Sequence, residues 1–414
     1  MFLTYRYRLY PSKEQEEILS NWLEVCRQVW NWALQIRKTA YEEKRPFPTY
    51  IDLLKLLASQ KKERPQWATV HSQVLQDVIH RQSEAYRRFF EARQQKKKAR
   101  PPRFKGKDKY YSFTFPQAMM KGKRRFKLYP NPRRTTNRKN FLFWPGKSLG
   151  EIKVIIHRPL PPQFVPKTLT IKLTKTGKWF LCITGEIPQA SNLRGEPRLP
   201  IGIDLGLSNW ATLSEGSVFA NPRCYRSFER KLRQAHRRLS RKKKGSQRRE
   251  KARRNLAKVY EKIANKRRDW AHKKSSLLVK KYNPIVIEDL NIKGLCRTRL
   301  GKFVHDAGWA QFISYLHYKA VIAGVQVIKV GSWGTSQICP FCGAKVPKTL
   351  EIRIHHCSIC GLILPRDQAS ALEILRRGVG PGGSELKPVE TVVPTAGLPS
   401  VANRVWEAGI SASG

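Results

Sequence analysis

No stretch of this 414-residue sequence approaches the ~20 apolar residues of a membrane-spanning helix. The opening Met1-Phe2-Leu3-Thr4-Tyr5-Arg6 carries no apolar signal run either. The expectation is a cytoplasmic protein of a cell without a nucleus, with no membrane partner. Acids are scarce, with 30 Asp and Glu against 81 Lys and Arg and a formal net charge of +51. Such an excess repels itself in a compact state, and a polyanion is the natural offset. Cysteines number only eight. Four form two close pairs, while Cys26, Cys182, Cys224 and Cys296 are scattered, a pattern for a metal site in a reducing compartment and not for a disulfide framework. No Tyr or Ser arrangement announces a covalent nucleophile, which disfavours a self-contained strand-transfer enzyme. Hydrophobic residues, at 40%, suffice for a core. Charge alone fits an architectural binder as well as an enzyme.

Residues 2–10 alternate around Phe2, Tyr5, Tyr7 and Leu9 as a strand does. Pro11 ends it, and Ser12 is a candidate helix cap. Apolar residues from Ile18 to Leu34, and again from Val70 to Phe89, recur at the helical period, so 11–95 reads as a small helical unit. Between Arg93 and Lys139 there are 18 basic residues and one acid, Asp108. Extended pieces there and onward to Glu186 predict a β-rich, barrel-like module. Its aromatics Tyr110, Tyr111, Phe113, Phe115 and Phe126 are better read as core than as base-stacking rings. Ile201 to Leu213 predicts a hairpin with Asp204 ending its first strand, and Ile285-Val286-Ile287 a strand ending at Glu288. Alternation of short apolar strands with helices predicts an α/β domain.

Cys339-Pro340-Phe341-Cys342 and Cys357-Ser358-Ile359-Cys360 are separated by 14 residues. Two such pairs provide a tetrahedral sulfur shell suited to structural Zn²⁺ with no position left open for catalysis. An iron site, or His355 or His356 in place of one cysteine, stays possible, and Lys345, Lys348 and Arg353 could add nucleic-acid contacts. Asp204, Glu288 and Asp367 stand at strand or ribbon ends, where a trio of carboxylates could hold two Mg²⁺ beside a phosphodiester. Salt bridging is the plainer reading of each acid alone, and Asp289 and Asp306 are competitors.

Several pieces, in order along almost the whole chain, resemble the TnpB family of transposon-encoded RNA-guided nucleases, relatives of type V CRISPR effectors. They are Tyr7-Arg8-Leu9-Tyr10-Pro11, Gly202-Ile203-Asp204-Leu205-Gly206-Leu207, Leu239 to Lys242, Asn265 to Asp269, Glu288-Asp289-Leu290, Thr335 to Gly343, and Cys357 to Asp367. The resemblance implies an α/β, RuvC-like nuclease domain of RNase H fold with an inserted zinc ribbon, and a wedge β-barrel interrupted by a helical bundle. The expected boundaries are 1–10 for the first wedge strand, 11–95 helical recognition, 96–195 wedge, 196–335 nuclease, 336–362 ribbon and 363–378 nuclease again; 379–414, dominated by glycine, proline and small residues with no periodic face, is expected to be a flexible tail. The resemblance also implies Asp204, Glu288 and Asp367 as the catalytic, Mg²⁺-binding triad. The implied partners are a guide RNA from the transposon end and a double-stranded DNA target beside a short adjacent motif. Where the family has Asp-Arg-Asp and then Asn-Ala-Ala, this chain has Pro365-Arg366-Asp367 and an alanine, Ala369, for the asparagine. Lost orienting bonds cost roughly 10–100-fold at a metal site, so a catalytically weak or inactive RNA- and DNA-binding regulator is the alternative.

Residues 226–281 carry 24 Lys or Arg against four acids and read as a basic helix pair. Arg248, Arg249, Arg253 and Arg254 offer rigid forks to phosphates. Lys105, Lys107, Arg124 and Arg125 are candidate RNA contacts in the β-rich module. Most such contacts would position backbone, leaving sequence choice to RNA–DNA pairing.

Overall fold

The computed structural model describes residues 2–107, 109–120, 123–124, 126–130, 140–144, 149–187, 198–349, 351–380, 386–391 and 403–408. The chain divides into two units, Met1–Gln189 and Ala190–Gly414.

In the first unit, strand β1 (Phe2–Tyr10) buries alternate residues Tyr5, Tyr7 and Leu9. Ser12 then caps helix α1 (Lys13–Glu42) in a reciprocal box: Gln15 N donates to the Ser12 Oγ while Ser12 N donates to the Gln15 side chain. The α1 helix extends beyond both ends of the predicted 18–34 stretch, because polar turns continue the helix after its apolar stripe stops. Helices α2 (Tyr50–Glu63), α3 (Pro65–Ala68) and α4 (Ser72–Gln94) follow. Strands β2 (Ser112–Phe115), β3 (Met119–Met120), β4 (Lys123–Arg124), β5 (Lys127–Pro130), β6 (Asn140–Trp144), β7 (Ile152–Ile155), β8 (Val165–Leu173) and β9 (Trp179–Glu186) complete the unit. The α1 stripe covers one face of the sheet, with Trp22 against Phe113 at 5.5 Å between ring centres. Phe113, Phe115 and Phe126 are buried in this core, and Tyr110 and Tyr111 are half-buried. The sheet runs β2-β8-β9-β1-β7-β6-β5. It is open: β2 and β5 form its ends, and no pairing joins them among the described residues. Alternation fixes which face of a strand is buried but not whether the outer strands meet, so a barrel was not decidable from the pattern.

In the second unit, β10 (Ile201–Asp204), β11 (Asn209–Leu213) and β12 (Val218–Ala220) precede a long hairpin of α5 (Glu229–Ser240) and α6 (Gln247–Lys281). Then come β13 (Ile285–Glu288), α7 (Ile292–Leu295), α8 (Gly301–Ala307), α9 (Trp309–Ala323) and β14 (Val327–Val330). The short strands β15 (Ile354–His356) and β16 (Ile363–Pro365) pair with each other before α10 (Arg366–Val379). The sheet order is β12-β11-β10-β13-β14, with β10, β13 and β14 mutually parallel. One face packs Ile201, Ile203, Ile285 and Ile287 against Leu278 of α6 and Phe312 and Leu316 of α9. The other packs Val286 and Val330 against Ile374 and Leu375 of α10. Burial on both faces explains why these strands read as unbroken apolar runs. In the C-terminal segment, β17 (Leu386–Thr391) pairs with β18 (Asn403–Ala408); the other residues of the expected tail beyond 380 lie outside the described residues. No helix among the described residues is long and apolar enough to cross a membrane.

Candidate active site and metal centre

Parallel pairing of β10 with β13 sets Ile203 beside Ile287, so the next residues, Asp204 and Glu288, leave neighbouring strand ends side by side. Period-2 alternation puts both on the face that carries Gly202 and Val286, the face covered by α10. That helix can lie close because residue 202 has no side chain. A Cβ there would sit 2.0 Å from the Ala371 carbonyl oxygen and 2.8 Å from the Leu375 nitrogen. The first turn of α10 carries Asp367.

Asp204 is within electrostatic reach of both Glu288 and Asp367. Burial first, then the charges of Glu288 and Asp367, push the Asp204 carboxyl up to about 8, against a smaller opposing pull from Arg366. Glu288 is buried, and burial raises it too, while a hydrogen bond from the Thr335 Oγ1 and the charge of Arg377 act the other way. Hard carboxylate oxygens whose charges crowd a buried Asp204 are a donor set that a divalent cation would relieve. Their spacing is looser than that of the four cysteines described below.

The competing acids are otherwise employed. Asp289 pairs with Lys329 at 3.0 Å on the surface. Asp306 is buried and accepts the backbone N–H groups of Tyr225 and Arg226. Pro365 sits in the β15–β16 ladder opposite Ile354. Ala369 is buried beside Cys339, Cys357 and Leu364, so the side chain standing in for the family's asparagine belongs to an apolar core.

The ribbon brings Cys339, Cys342, Cys357 and Cys360 together with all four Sγ atoms within 4.8 Å of one another. The Cys339–Cys360 and Cys342–Cys357 separations are 3.6 and 3.5 Å. A tetrahedron with Zn–S of about 2.3 Å has edges of about 3.8 Å, so the shell fits Zn²⁺ closely. Each pair closes by a backbone turn, Gly343 N to Cys339 O at 3.0 Å and Gly361 N to Cys357 O at 2.8 Å. Both glycines have φ above +70°, which other residues resist. His355 is buried but bonded through Nδ1 to the Lys348 Nζ, and lies outside the sulfur group; burial lowers it to about 4.

The α5–α6 hairpin holds an open groove lined by Lys231, Arg238, Lys242, Arg248 and Lys251. Arg248 therefore faces it, and Arg254 is exposed. Arg249 is turned to the carbonyls of Leu239 and Lys242, at 3.1 and 2.6 Å, closing the hairpin turn. Arg253 pairs with Glu250 at 2.6 Å. Lys107 is exposed, whereas the Lys105 Nζ lies 5.0 Å from the Trp30 ring centre and its backbone is held by Asn31. The Arg124 side chain and all of Arg125 lie outside the described residues. Sequence reading assigned no site role to Thr335, Glu373 or Arg377. An i,i+4 Glu–Arg spacing on the final helix was the one signal for the latter two.

Three family models match this chain: "Helix-turn-helix domain" over residues 1–46, "Probable transposase" over 188–299, and "Cas12f1-like, TNB domain" over 309–374. The first description does not fit the elements seen, since residues 2–42 form one strand and one 30-residue helix. A Streptomyces pristinaespiralis protein named "Putative RNA-guided DNA endonuclease" is 31% identical over 385 residues, 91% of this chain and 89% of its own. "Putative RNA-guided DNA endonuclease InsQ" of Escherichia coli is 28% identical over 394 residues, 90% of this chain and 92% of its own. Among solved structures, the Cas12f1–sgRNA–target DNA complex matches with a TM-score of 0.54 at 13% identity, covering 88% of this chain and 83% of that one. CasPhi-2 (Cas12j) bound to crRNA matches at 0.50 and 9% identity, covering 90% and 97%. The fold is thus the α/β architecture of the Cas12 effectors. At the level of sequence, the chain belongs to the TnpB family of IS605-type elements.

Proposed function

We propose that this protein is an RNA-guided DNA endonuclease that hydrolyses phosphodiester bonds at Asp204, Glu288 and Asp367, on a RuvC-like domain of RNase H type. The observation carrying this is where the three acids meet: Asp204, buried at a strand end, is raised to about 8 first by that burial and then by the charges of Glu288 from the parallel neighbour strand and Asp367 from the helix. Two Mg²⁺, when bound, would supply an activated water and charge for the departing 3′ oxygen. The chain's own part is to present the oxygens and keep them aimed. Thr335 holds Glu288 by its hydroxyl, and Arg377 sets a positive charge behind it. Basic side chains along the α5–α6 groove hold nucleic-acid backbone. Cys339, Cys342, Cys357 and Cys360 would hold a zinc ion that staples the ribbon without a chemical role, since four thiolates leave no open position. The setting we infer is the cytoplasm of a prokaryote, with a guide RNA from the transposon end and a duplex target beside a short motif.

The test is to purify the protein with its RNA, sequence that RNA, and supply matched DNA with Mg²⁺. Wild type is expected to cut, and Asp204→Ala to bind RNA without cutting. Equal cutting by both chains would remove the acids from the mechanism.

A further inference from the structure

Trp333 is an oddity for a well-held residue: it is 80% exposed. The backbone beneath it is fixed. Arg377 donates from Nη1 to the carbonyls of Gly331 and Trp333, at 3.0 and 2.7 Å. Arg377 is itself held by Glu373, which is fully buried and also grips Arg376. Next in the chain, Gly334 turns with φ +72°, and Thr335 then hands its hydroxyl to Glu288. A large apolar ring is thus presented to solvent by a rigid loop, two residues from the group that touches an acid of the site.

We propose that Trp333 is a stacking platform for an unpaired nucleobase of the strand being cut, next to the phosphate on which the acids act. This rests on the reading of Asp204, Glu288 and Asp367 as a phosphodiester-cleaving site. Bases inside a duplex have both faces covered by their neighbours, so only an unpaired nucleotide offers one to the indole. Stacking tolerates any base, because every base has a π-face. That tolerance suits an enzyme whose sequence choice is made by RNA–DNA pairing. Rigidity matters equally: a platform fixed by Glu373 and Arg377 loses no loop entropy when the strand arrives.

The test uses the full chain with its co-purified RNA and a matched DNA target carrying single 2-aminopurine or abasic substitutions around the cut. With cutting disabled by Asp204→Ala, one 2-aminopurine position is expected to be quenched, and the signal to recover when Trp333→Ala is added. In the cutting-competent chain, Trp333→Ala is expected to slow cleavage about 5- to 150-fold, the range one base–aromatic stack is worth. Trp333→Phe is expected to stay within about threefold of wild type, since it keeps an aromatic face. An abasic site at the quenched position should slow wild type by a similar factor and slow Trp333→Ala no further. Zinc content and melting temperature, unchanged in both variants, separate this from misfolding. Wild-type cutting by Trp333→Ala beside an inert Asp204→Ala chain overturns the stacking alone, as does abasic sensitivity that persists without the indole. An Asp204→Ala chain that still cuts overturns the reading of the acids, and this proposal with it.

Discussion

Cys339 and Cys342 meet Cys357 and Cys360 through two backbone turns and one short strand pair, all inside a single small ribbon. Asp204, Glu288 and Asp367 are instead delivered by two strand ends and the start of the last helix, with the α5–α6 hairpin and the ribbon lying between them in sequence. The first site is local and carries its own geometry. The second exists only where a sheet and a helix pack. Damage to the ribbon should therefore spare the five-stranded sheet and reach the acids only indirectly, whereas the acid site should be sensitive to changes that touch none of its acids.

The largest effect is expected from Asp204→Ala, a loss of cleavage of about a thousandfold or more at saturating Mg²⁺. Zinc content and RNA binding should be unchanged, which a cleavage assay beside metal analysis checks. Cys342→Ser is the reverse experiment. Bound zinc should fall from one per chain to nearly none, and protease cuts should appear between 336 and 365 while the five-stranded sheet persists. Cleavage should fall by roughly 10–100-fold, because Thr335, which orients Glu288, lies just before Cys339. Loss of the sheet along with the ribbon would show that the two are not separable.

Gly202→Ala tests the packed site without altering an acid. Its Cβ would meet the backbone of α10, so the helix must shift at a cost of about 1–3 kcal/mol. Since Asp367 rides on that helix, cleavage should drop by at least about tenfold. Denaturant melts and kinetics on the same preparation check both parts. An unshifted midpoint would mean that α10 does not depend on the missing side chain.

The same contrast explains what could be read beforehand. Cysteine spacing encodes the ribbon within one stretch of chain, and its two glycines mark the turns. The apolar runs around Asp204 and Glu288 placed each acid at a strand end. Their meeting depends on the parallel register of Ile203 with Ile287, which no local pattern carries. Asp367 could be grouped with them only as another acid at an element's end, until family resemblance named the three as one site. The roles of Thr335 and Arg377 were hidden because they act through a loop and a carbonyl clamp. Arg249 looked like a phosphate ligand because a fork facing the C-terminal end of the preceding helix, α5, reads the same in sequence as one facing solvent.

The last effect expected, and the one furthest from activity, is on stability against pH in the metal-free protein. Asp204 titrates near 8 when folded and near the ordinary 3.8 when unfolded. Between those values the folded state holds a proton that the unfolded state has released, so stability falls as pH rises through the window. Above 8 the folded chain bears the full cost of the buried, crowded charge, on the order of a few kcal/mol after relaxation. Asp204→Asn removes that charge. Its melting temperature should match wild type near pH 4, exceed it by several degrees at pH 8, and vary less between the two. Mg²⁺ should raise the wild-type value at pH 8 and leave the Asn variant nearly unmoved. Parallel melting curves for the two chains across pH 4 to 8 would mean that Asp204 does not feel its neighbours, and the packed site would lose the property that sets it apart from the ribbon.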